Sequence, residues 1–495
     1  MKKGVKKLKI LLLSGGIGKR LWPLSNSVRS KQFLKLLKNE QGEYESMIQR
    51  VCRQLADAGL LSSAYIITCE SQMDIIKNQI GSHIPVICEP SQRGTFPSIV
   101  LACAYLHSHQ HSSINETICV LPVDSYVEPR FYEQLLTIPD ILQKSQAELA
   151  LFGALPQFPS EQFGYIVPKQ ALKEEVGCLL IDEFIEKPNS DKAQMLIEKN
   201  AYWNCGIFGF SLNFMIEYLK EKKFSTSYSQ LLKTYDRLPD ISFDYQVVEK
   251  NSKSIVIPYS GQWKDLGSWE ALSGQLANSI FGKGSLSEDC QNTQIVNEMS
   301  IPIHAISVSD TIIAASPDGI LVANKHKSNA IKEQAEKARP MYEEKRWGVY
   351  KVLDFTSTNE GMHSLSKLIK INPGKNISYQ THQFRQETWT VISGEGKFIL
   401  DGRLSYIKAG DVLQIPFGAK HAVKAITSLE IIEVQWGEKL LEEDIIRIAD
   451  SWDDTVNHSI KGRNRSFLSS SVQWASMIWK MGLKSMKTRL GMKKN

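Results

Sequence analysis

Residues 13 to 33 run Leu-Ser-Gly-Gly-Ile-Gly-Lys-Arg-Leu-Trp-Pro-Leu-Ser-Asn-Ser-Val-Arg-Ser-Lys-Gln-Phe, directly after the apolar stretch Ile10-Leu13. Glycines at 15, 16 and 18 let backbone N–H groups crowd around a polyphosphate, and Arg20 and Lys31 bring positive charge to it. Ser14 and Lys19 belong to the same loop. Glycines alone would suit a tight turn between core elements; with the cations, the string reads as a nucleotide-handling loop. It is neither a dinucleotide fingerprint nor a P-loop, because the glycine spacing fits neither and no Gly-Lys-Ser/Thr follows. Asp124 closes the run Ile118-Cys119-Val120-Leu121-Pro122-Val123, and Asp265 lies in Trp263-Lys264-Asp265-Leu266-Gly267-Ser268-Trp269. A lone aspartate after a strand is commonly a turn residue or helix cap. Two of them at distant strand ends are also the hard oxygen donors that clamp Mg2+. If the loop holds a triphosphate, transfer at its α-phosphorus needs that cation, a nucleophile held in line, and positive charge for the departing pyrophosphate.

A second set of residues lies toward the C-terminus. Gly374 is followed by Gln380, His382, Glu387 and Gly394, and later by Gly410-Asp411-Val412-Leu413-Gln414-Ile415-Pro416-Phe417-Gly418-Ala419-Lys420-His421. This spacing resembles the two cupin motifs, with Gln380 where the first histidine usually stands. A single barrel histidine is commonly a satisfied core residue. Two imidazoles, a carboxylate and an amide oxygen together form a borderline site suited to Zn2+ or another divalent transition metal.

The elements that must position these groups follow from the hydrophobic pattern. Ile10-Leu13, Ala64-Thr68, Val86-Cys88, Ile118-Leu121 and Leu149-Gly153 read as strands, with helices near 47–58, 96–109 and 131–146 between them. This alternation predicts an α/β fold over 1–282, a doubly wound, mostly parallel, Rossmann-like sheet with its chemistry at the strands' carboxyl ends. Residues 283–340 predict a short β-helix-like module and a linker helix near 328–338. Residues 341–450 predict a cupin jelly-roll barrel, with turns at Asn372-Pro373-Gly374, Asp401-Gly402 and Ala409-Gly410-Asp411.

At 495 residues and 42% hydrophobic composition, the chain has ample core for two or three domains. The net charge of +6 is concentrated in residues 451–495: nine Lys/Arg and no acid lie beyond residue 460, leaving the remainder slightly negative. The body is therefore no nucleic-acid binder. The tail spaces Phe467, Val472, Ala475, Ile478 and Met481 at roughly helical intervals beside Lys480, Lys484, Lys487 and Arg489. Both a peripheral contact with an anionic membrane and a frayed or partner-packed terminal helix fit that pattern. The N-terminal lysines precede an apolar run too short for an export signal, so the expected location is cytoplasmic. Eight scattered cysteines without a Cys-x-x-Cys pair predict buried reduced thiols. Homo-oligomerisation is left open.

The opening string resembles that of sugar-nucleotide pyrophosphorylases, specifically mannose-1-phosphate guanylyltransferases. So do Val-Leu-Pro-x-Asp at Asp124, Phe163-Gly164-Tyr165-Ile166, Phe184-Ile185-Glu186-Lys187-Pro188, Trp203-Asn204-Cys205-Gly206, Asp244-Tyr245-Gln246-Val247-Val248-Glu249-Lys250 and the Asp265 segment, all in the family's order. The resemblance implies GTP, mannose 1-phosphate and Mg2+ as reactants and cofactor. Ser14, Gly15, Gly16, Gly18, Lys19 and Arg20 would hold the nucleotide. Asp124 and Asp265 would hold the metal, and Arg20 and Lys31 the phosphates. Lys187 would neutralise the sugar phosphate, and Gly164, Glu186 and Asn204 would read sugar hydroxyls. Ser30 replaces the usual proline, Ser125 the usual histidine, and Arg93-Gly94-Thr95-Phe96-Pro97-Ser98 stands for Arg-Asn-Thr-Ala-Pro-Ala. Another sugar 1-phosphate or nucleotide therefore remains an alternative, as does a non-catalytic sugar-nucleotide sensor.

The stretch from Arg346-Trp347-Gly348 to Glu443-Asp444-Ile445-Ile446-Arg447 looks like the mannose-6-phosphate isomerase module fused to such transferases. After Gln380-Thr381-His382 it has lost two of that family's histidines, and the closing Tyr-Gly-Arg is absent. The metal is expected to outlast the isomerase chemistry.

Overall fold

The computed structural model describes residues 8–16, 18–169, 177–334, 340–358, 361–440 and 444–463. It divides into two compact units, Met1–Arg346 and Trp347–Asn495.

The first unit is built on nine strands: β1 (Leu8–Leu13), β2 (Ala64–Cys69), β3 (Val86–Glu89), β4 (Thr117–Pro122), β5 (Leu149–Ala154), β6 (Tyr165–Pro168), β7 (Leu179–Ile185), β8 (Tyr202–Ser211) and β9 (Ser254–Tyr259). They lie in the order β3-β2-β1-β4-β8-β5-β9-β7-β6. Only β7 and β8 run against the others. Strands covered on both faces read as continuous apolar runs. All six residues of β2 are buried accordingly, and the helix Thr95–Ser108 behind the sheet is buried throughout Phe96–Ala104. A capping box starts the helix Met47–Asp57: Ser46 Oγ accepts from Gln49 N while Ser46 N donates to Gln49 Oε1. The chain runs outward from β1 to β2 and β3, then returns to β4 on β1's other side. A crevice therefore opens at the carboxyl ends of β1 and β4, where Leu13 and Pro122 are direct register partners.

The helix expected over 131–146 is three pieces: Phe131–Gln134, a 3-10 turn Leu135–Thr137, and Ile138–Ser145. Pro139 explains the break, since it has no N–H to continue a ladder from the preceding turn. Where described, the linker helix expected near 328–338 is a 3-10 segment, Lys325–Ala330, followed by the short helix Ile331–Gln334, and positions 335–338 lie outside the described residues.

Between them, Ile280–Phe281, Gln294–Asn297 and Thr311–Ser316 pair in parallel, as do Gly284–Leu286 and Ile303–Ala305. These are the stacked faces of a short β-helix, closed by the antiparallel strand Gly319–Asn324. Its Val296, Ile312 and Ala314 share a core with Leu21, Leu24 and Trp269, so the module buries the flank of the glycine-rich loop.

The second unit is a jelly-roll barrel of two antiparallel sheets. One orders Gly348–Ser357, His363–Ile371, Leu429–Gly437, Arg385–Ser393 and Val412–Ile415; the other Arg403–Lys408, Glu395–Leu400, His421–Ala425, Tyr379–Thr381 and Ile446–Ala449. Burial alternates along Arg385–Ser393, as it must when one face lines the interior. A helix, Trp452–Arg463, follows; the basic amphipathic pattern over 467–492 lies outside the described residues. All eight cysteines are free. Among the described residues no helix is long and apolar enough to cross a membrane.

Candidate functional site

Strand pairing brings the two aspartates together. Trp263–Asp265 pairs antiparallel with Ser125–Val127, setting Asp265 opposite Ser125, and Leu266 N donates to the Asp124 carbonyl at 3.1 Å. Lys31 reaches in from the other side: its Nζ contacts Asp124 Oδ2 and lies 3.8 Å from Asp265 Oδ1. Burial works against charge on all three groups. The two carboxylates still hold the Lys31 ammonium above its usual range, and Lys31 in turn brings Asp124 below its own. Burial pushes Asp265 up, and the neighbouring Asp124 adds to the rise. One cation thus sits between two carboxylates that would otherwise repel, at the crevice the sheet topology opens.

The glycine-rich loop is braced around them. Gln32 Nε2 donates to the Ser14 carbonyl at 2.6 Å, Gln92 Nε2 to the Gly15 carbonyl at 2.5 Å, and Ser25 Oγ to the Gly18 carbonyl at 2.6 Å. Gly18 has φ of +64°, and a Cβ there would come within 2.9 Å of the Lys31 backbone nitrogen. Lys19 and Arg20 begin a 3-10 turn at Gly18. Arg20 acts electrostatically on both Lys31 and Asp265, and its Nη1 donates to Gln162 Oε1 at 3.2 Å.

Gln162 leads to a second group. Asn204 N donates to the Gly164 carbonyl at 2.8 Å, and Asn204 Nδ2 donates to Asp244 Oδ1 at 2.7 Å. Glu186 packs against Gly164, and its Oε2 is buried without a hydrogen-bond partner among the described residues. Burial, and then Asp244, push the Glu186 carboxyl up. Lys187 belongs here: its Nζ pairs with Glu186 Oε1 at 2.8 Å rather than with Asp124 or Asp265. A buried acceptor lacking a donor is costly, which makes Glu186 Oε2 a place for a ligand hydroxyl.

Beside the loop, a cavity of about 310 Å³ is lined by Gly15, Gly16, Gln92, Gly94 and Asp124, and by Glu89, which sequence reasoning missed. Glu89 ends β3 and is only 2% exposed. Burial pushes its carboxyl up, against hydrogen bonds from Ser98 and Tyr235. The available signal was its place: an acid at the carboxyl end of the short edge strand Val86–Glu89, just before Pro90. Asp244, quoted within its string, was likewise passed over as a site residue.

In the barrel, Gln380 and His421 are register partners. His382 Nε2 lies 3.2 Å from Glu387 Oε1, and His421 Nε2 lies 3.6 Å from Glu387 Oε2. Gln380 Nε2 lies 3.4 Å from His382 Nε2. The ligand atoms of His382, Glu387 and His421 all fall within 4.8 Å of one another. His421 Nδ1 donates to the Ala419 carbonyl at 3.2 Å, leaving Nε2 as a buried lone pair without a hydrogen-bond partner. Burial lowers the His382 pKa to about 4 and lowers that of His421 too. Burial works against charge on Glu387, yet His421, His382 and then Arg385 hold it down to about 2. Neutral imidazoles and an ionised carboxylate are the protonation states that ligate a metal. Arg385, also missed, donates from Nε to Glu387 Oε1 at 3.0 Å and orients it.

Residues 9–278 match the family model described as nucleotidyl transferase, and residues 331–450 that of the mannose-6-phosphate isomerase C-terminal region. A mannose-1-phosphate guanylyltransferase of Salmonella montevideo is 31% identical over 89% of this chain and 98% of its own length. The alginate biosynthesis protein AlgA of Pseudomonas aeruginosa is 27% identical over 91% and 98%. A crystal structure from Thermus thermophilus, described as a mannose-1-phosphate geranyltransferase, is 26% identical, covers 66% of this chain and 98% of its own, and superposes with a TM-score of 0.57.

Proposed function

The chain belongs to the mannose-1-phosphate guanylyltransferase family, and from that premise we propose that it joins mannose 1-phosphate to GTP, giving GDP-mannose and pyrophosphate. The observation that carries this reading is Lys31 set between Asp124 and Asp265 beside the braced glycine loop. A phosphate oxygen of the sugar forms a bond to the α-phosphorus, and the bond from that phosphorus to the β-phosphate bridge breaks in line with it.

The backbone of Ser14, Gly15, Gly16 and Gly18 surrounds the triphosphate, with Lys19 at its edge. Arg20 and Lys31 offset the charge that builds on the pyrophosphate. Lys187 neutralises the sugar phosphate, while Gly164, Glu186 and Asn204 hold sugar hydroxyls; the partnerless Glu186 Oε2 supports that role. The two hard carboxylates, Asp124 and Asp265, fit Mg2+, which when bound would polarise the reacting phosphates. No general base is required, because a sugar phosphate is already anionic at neutral pH.

In the barrel, Gln380, His382, Glu387 and His421 would hold a divalent transition metal such as Zn2+. The partnerless His421 Nε2 supports that fit.

The test is an assay of the full chain with Mg2+ across a panel of sugar 1-phosphates and nucleoside triphosphates. GDP-mannose as the dominant product is expected; faster turnover of another pair would reassign the substrates, and none at all would favour a sensor.

A further inference from the structure

The residues on either side of Lys31 are polar and buried. Gln32 holds the Ser14 carbonyl, as described above. Ser30 is fully buried, and its Oγ accepts from Gln72 Nε2 at 2.5 Å. Gln72 closes the 3-10 turn Glu70–Gln72 that follows β2 and is itself fully buried. Its Oε1 accepts from Thr68 Oγ1 at 2.8 Å, which fixes the way the amide faces. The cavity beside the glycine-rich loop is lined by residues other than these three. Apolar groups of the same shape could fill the space with little loss of stability, so the polar array has a role to account for beyond packing.

Ser30 has φ of −70° and ψ of 165° and leads into the 3-10 turn Lys31–Phe33, with Phe33 N donating to its carbonyl at 3.0 Å. Its dihedrals therefore set the direction in which Lys31 leaves the chain. The extended region is broad, and a residue free to wander in it would carry Lys31 along. A rotation of about 20°, the ordinary scatter of backbone dihedrals, moves an ammonium some 6 Å from the hinge by roughly 2 Å. Misplacing a reacting or charge-bearing group by about 1 Å can cost ~10²-fold in rate. Lys31 Nζ contacts Asp124 and lies 3.8 Å from Asp265, so such a swing would take it out of the pair.

We infer that Gln72 is a positioning residue for Lys31: by holding the Ser30 hydroxyl it fixes the backbone from which the ammonium reaches the two carboxylates, and it touches no reacting group itself. The inference rests on the nucleotidyl transfer proposed above and adds what sets the cation's place. The Ser30 backbone also offers a way to separate positioning from stability. Its φ lies where a proline ring holds it, at about −65°, and its N–H donates to no described residue. Ser30→Pro therefore supplies through a covalent ring the restraint that Gln72 supplies through a hydrogen bond.

The experiment compares the full wild-type chain with Gln72→Met, Ser30→Ala/Gln72→Met and Ser30→Pro/Gln72→Met, measuring kcat, KM for GTP and mannose 1-phosphate, and melting temperature. Gln72→Met keeps the volume and removes the donor, while Thr68 Oγ1 retains the Ser14 carbonyl at 3.4 Å as an acceptor. It should lower kcat about 10-fold or more and leave both KM values within about threefold, the signature of an interaction used in the transition state. Ser30→Ala/Gln72→Met removes both polar partners, so its melting temperature should return close to that of wild type while kcat stays low. Ser30→Pro/Gln72→Met should bring kcat back to within about threefold of wild type. A Ser30→Ala/Gln72→Met enzyme that recovers rate along with stability overturns the assignment, and this pair decides the matter even where the proline pair folds poorly. A proline pair that folds as wild type but stays slow overturns it too, as does a Gln72→Met enzyme of full rate. A wild type that transfers from no triphosphate overturns the proposed function and this assignment with it.

Discussion

The Arg29 guanidinium grips Glu298 through two bonds, Nη1 to Oε2 at 2.8 Å and Nη2 to Oε1 at 2.9 Å. Arg29 stands two residues before Lys31, and Glu298 follows the β-helix strand Gln294–Asn297. Glu344, 3.8 Å from Arg29 Nε, and the Tyr342 ring, 4.7 Å from the guanidinium carbon, complete the enclosure. Removing one partner of a buried ion pair leaves a stranded charge. Glu298→Ala should therefore cost about 3 kcal/mol, read as a fall in melting temperature. Replacing both partners, Arg29→Met with Glu298→Leu, should cost less than the sum of the single changes.

Asp265 and His382 test the division of labour between the units. Asp265→Asn removes a carboxylate from the pair that faces Lys31, and nucleotidyl transfer should fall by at least ~10²–10³-fold, the scale of losing one preorganised charged group. His382→Ala should leave transfer within about twofold. Loss of transfer in the second variant would refute this separation.

Gly18 holds the loop in left-handed backbone against Lys31. Gly18→Ala forces a side chain into left-handed backbone and against the Lys31 nitrogen, 2.9 Å away. Steady-state kinetics should show kcat lowered about 10-fold or more, since small displacements of positioning groups carry penalties of that order. A fully active Gly18→Ala enzyme would mean Lys31 is not set by the loop.

Elemental analysis of the purified chain should find a divalent transition metal at about one equivalent per barrel. His421→Ala should lose it, because it removes an imidazole whose Nε2 is buried without a hydrogen-bond partner among the described residues. Stripping the barrel metal and then restoring Mg2+ should leave transfer intact.

With the metal removed, the barrel should be acid-sensitive in a defined window. Buried His382 titrates at about 4, below its ordinary 6.5, so between those values the unfolded chain binds the proton first. Stability is complete above about pH 6.5 and is lost progressively down to about pH 4, by roughly 3 kcal/mol. Glu387, held at about 2 against an ordinary 4.5, extends the loss in the same direction below pH 4.5. Calorimetry of the metal-free chain should show this slope, and His382→Asn should reduce it between pH 6.5 and 4, leaving the part that His421, also lowered by burial, contributes.

The strands carrying the site were legible because they are buried on both faces, and Ile10–Leu13 and Ile118–Leu121, inside the strands Leu8–Leu13 and Thr117–Pro122, read as apolar runs whatever surrounds them. The aspartates were legible as residues that follow strands. Their meeting was legible only through the family resemblance, because it depends on Trp263–Asp265 pairing with Ser125–Val127, a contact between distant segments that leaves no periodic trace. Glu89 was missed because a single acid after an apolar run looks like any strand end until Ser98 and Tyr235 converge on it. The 131–146 helix was overextended because its apolar spacing outweighed the warning in Pro139.

The same Trp263–Asp265 pairing sets an order of events during synthesis. A ribosome that has released only the first 260 residues has presented the glycine loop, Lys31 and Asp124, but not the strand that delivers the second carboxylate. A chain that ends before residue 265 therefore carries one of the two carboxylates that face Lys31, and the pair is complete only once Trp263–Asp265 can add to Ser125–Val127.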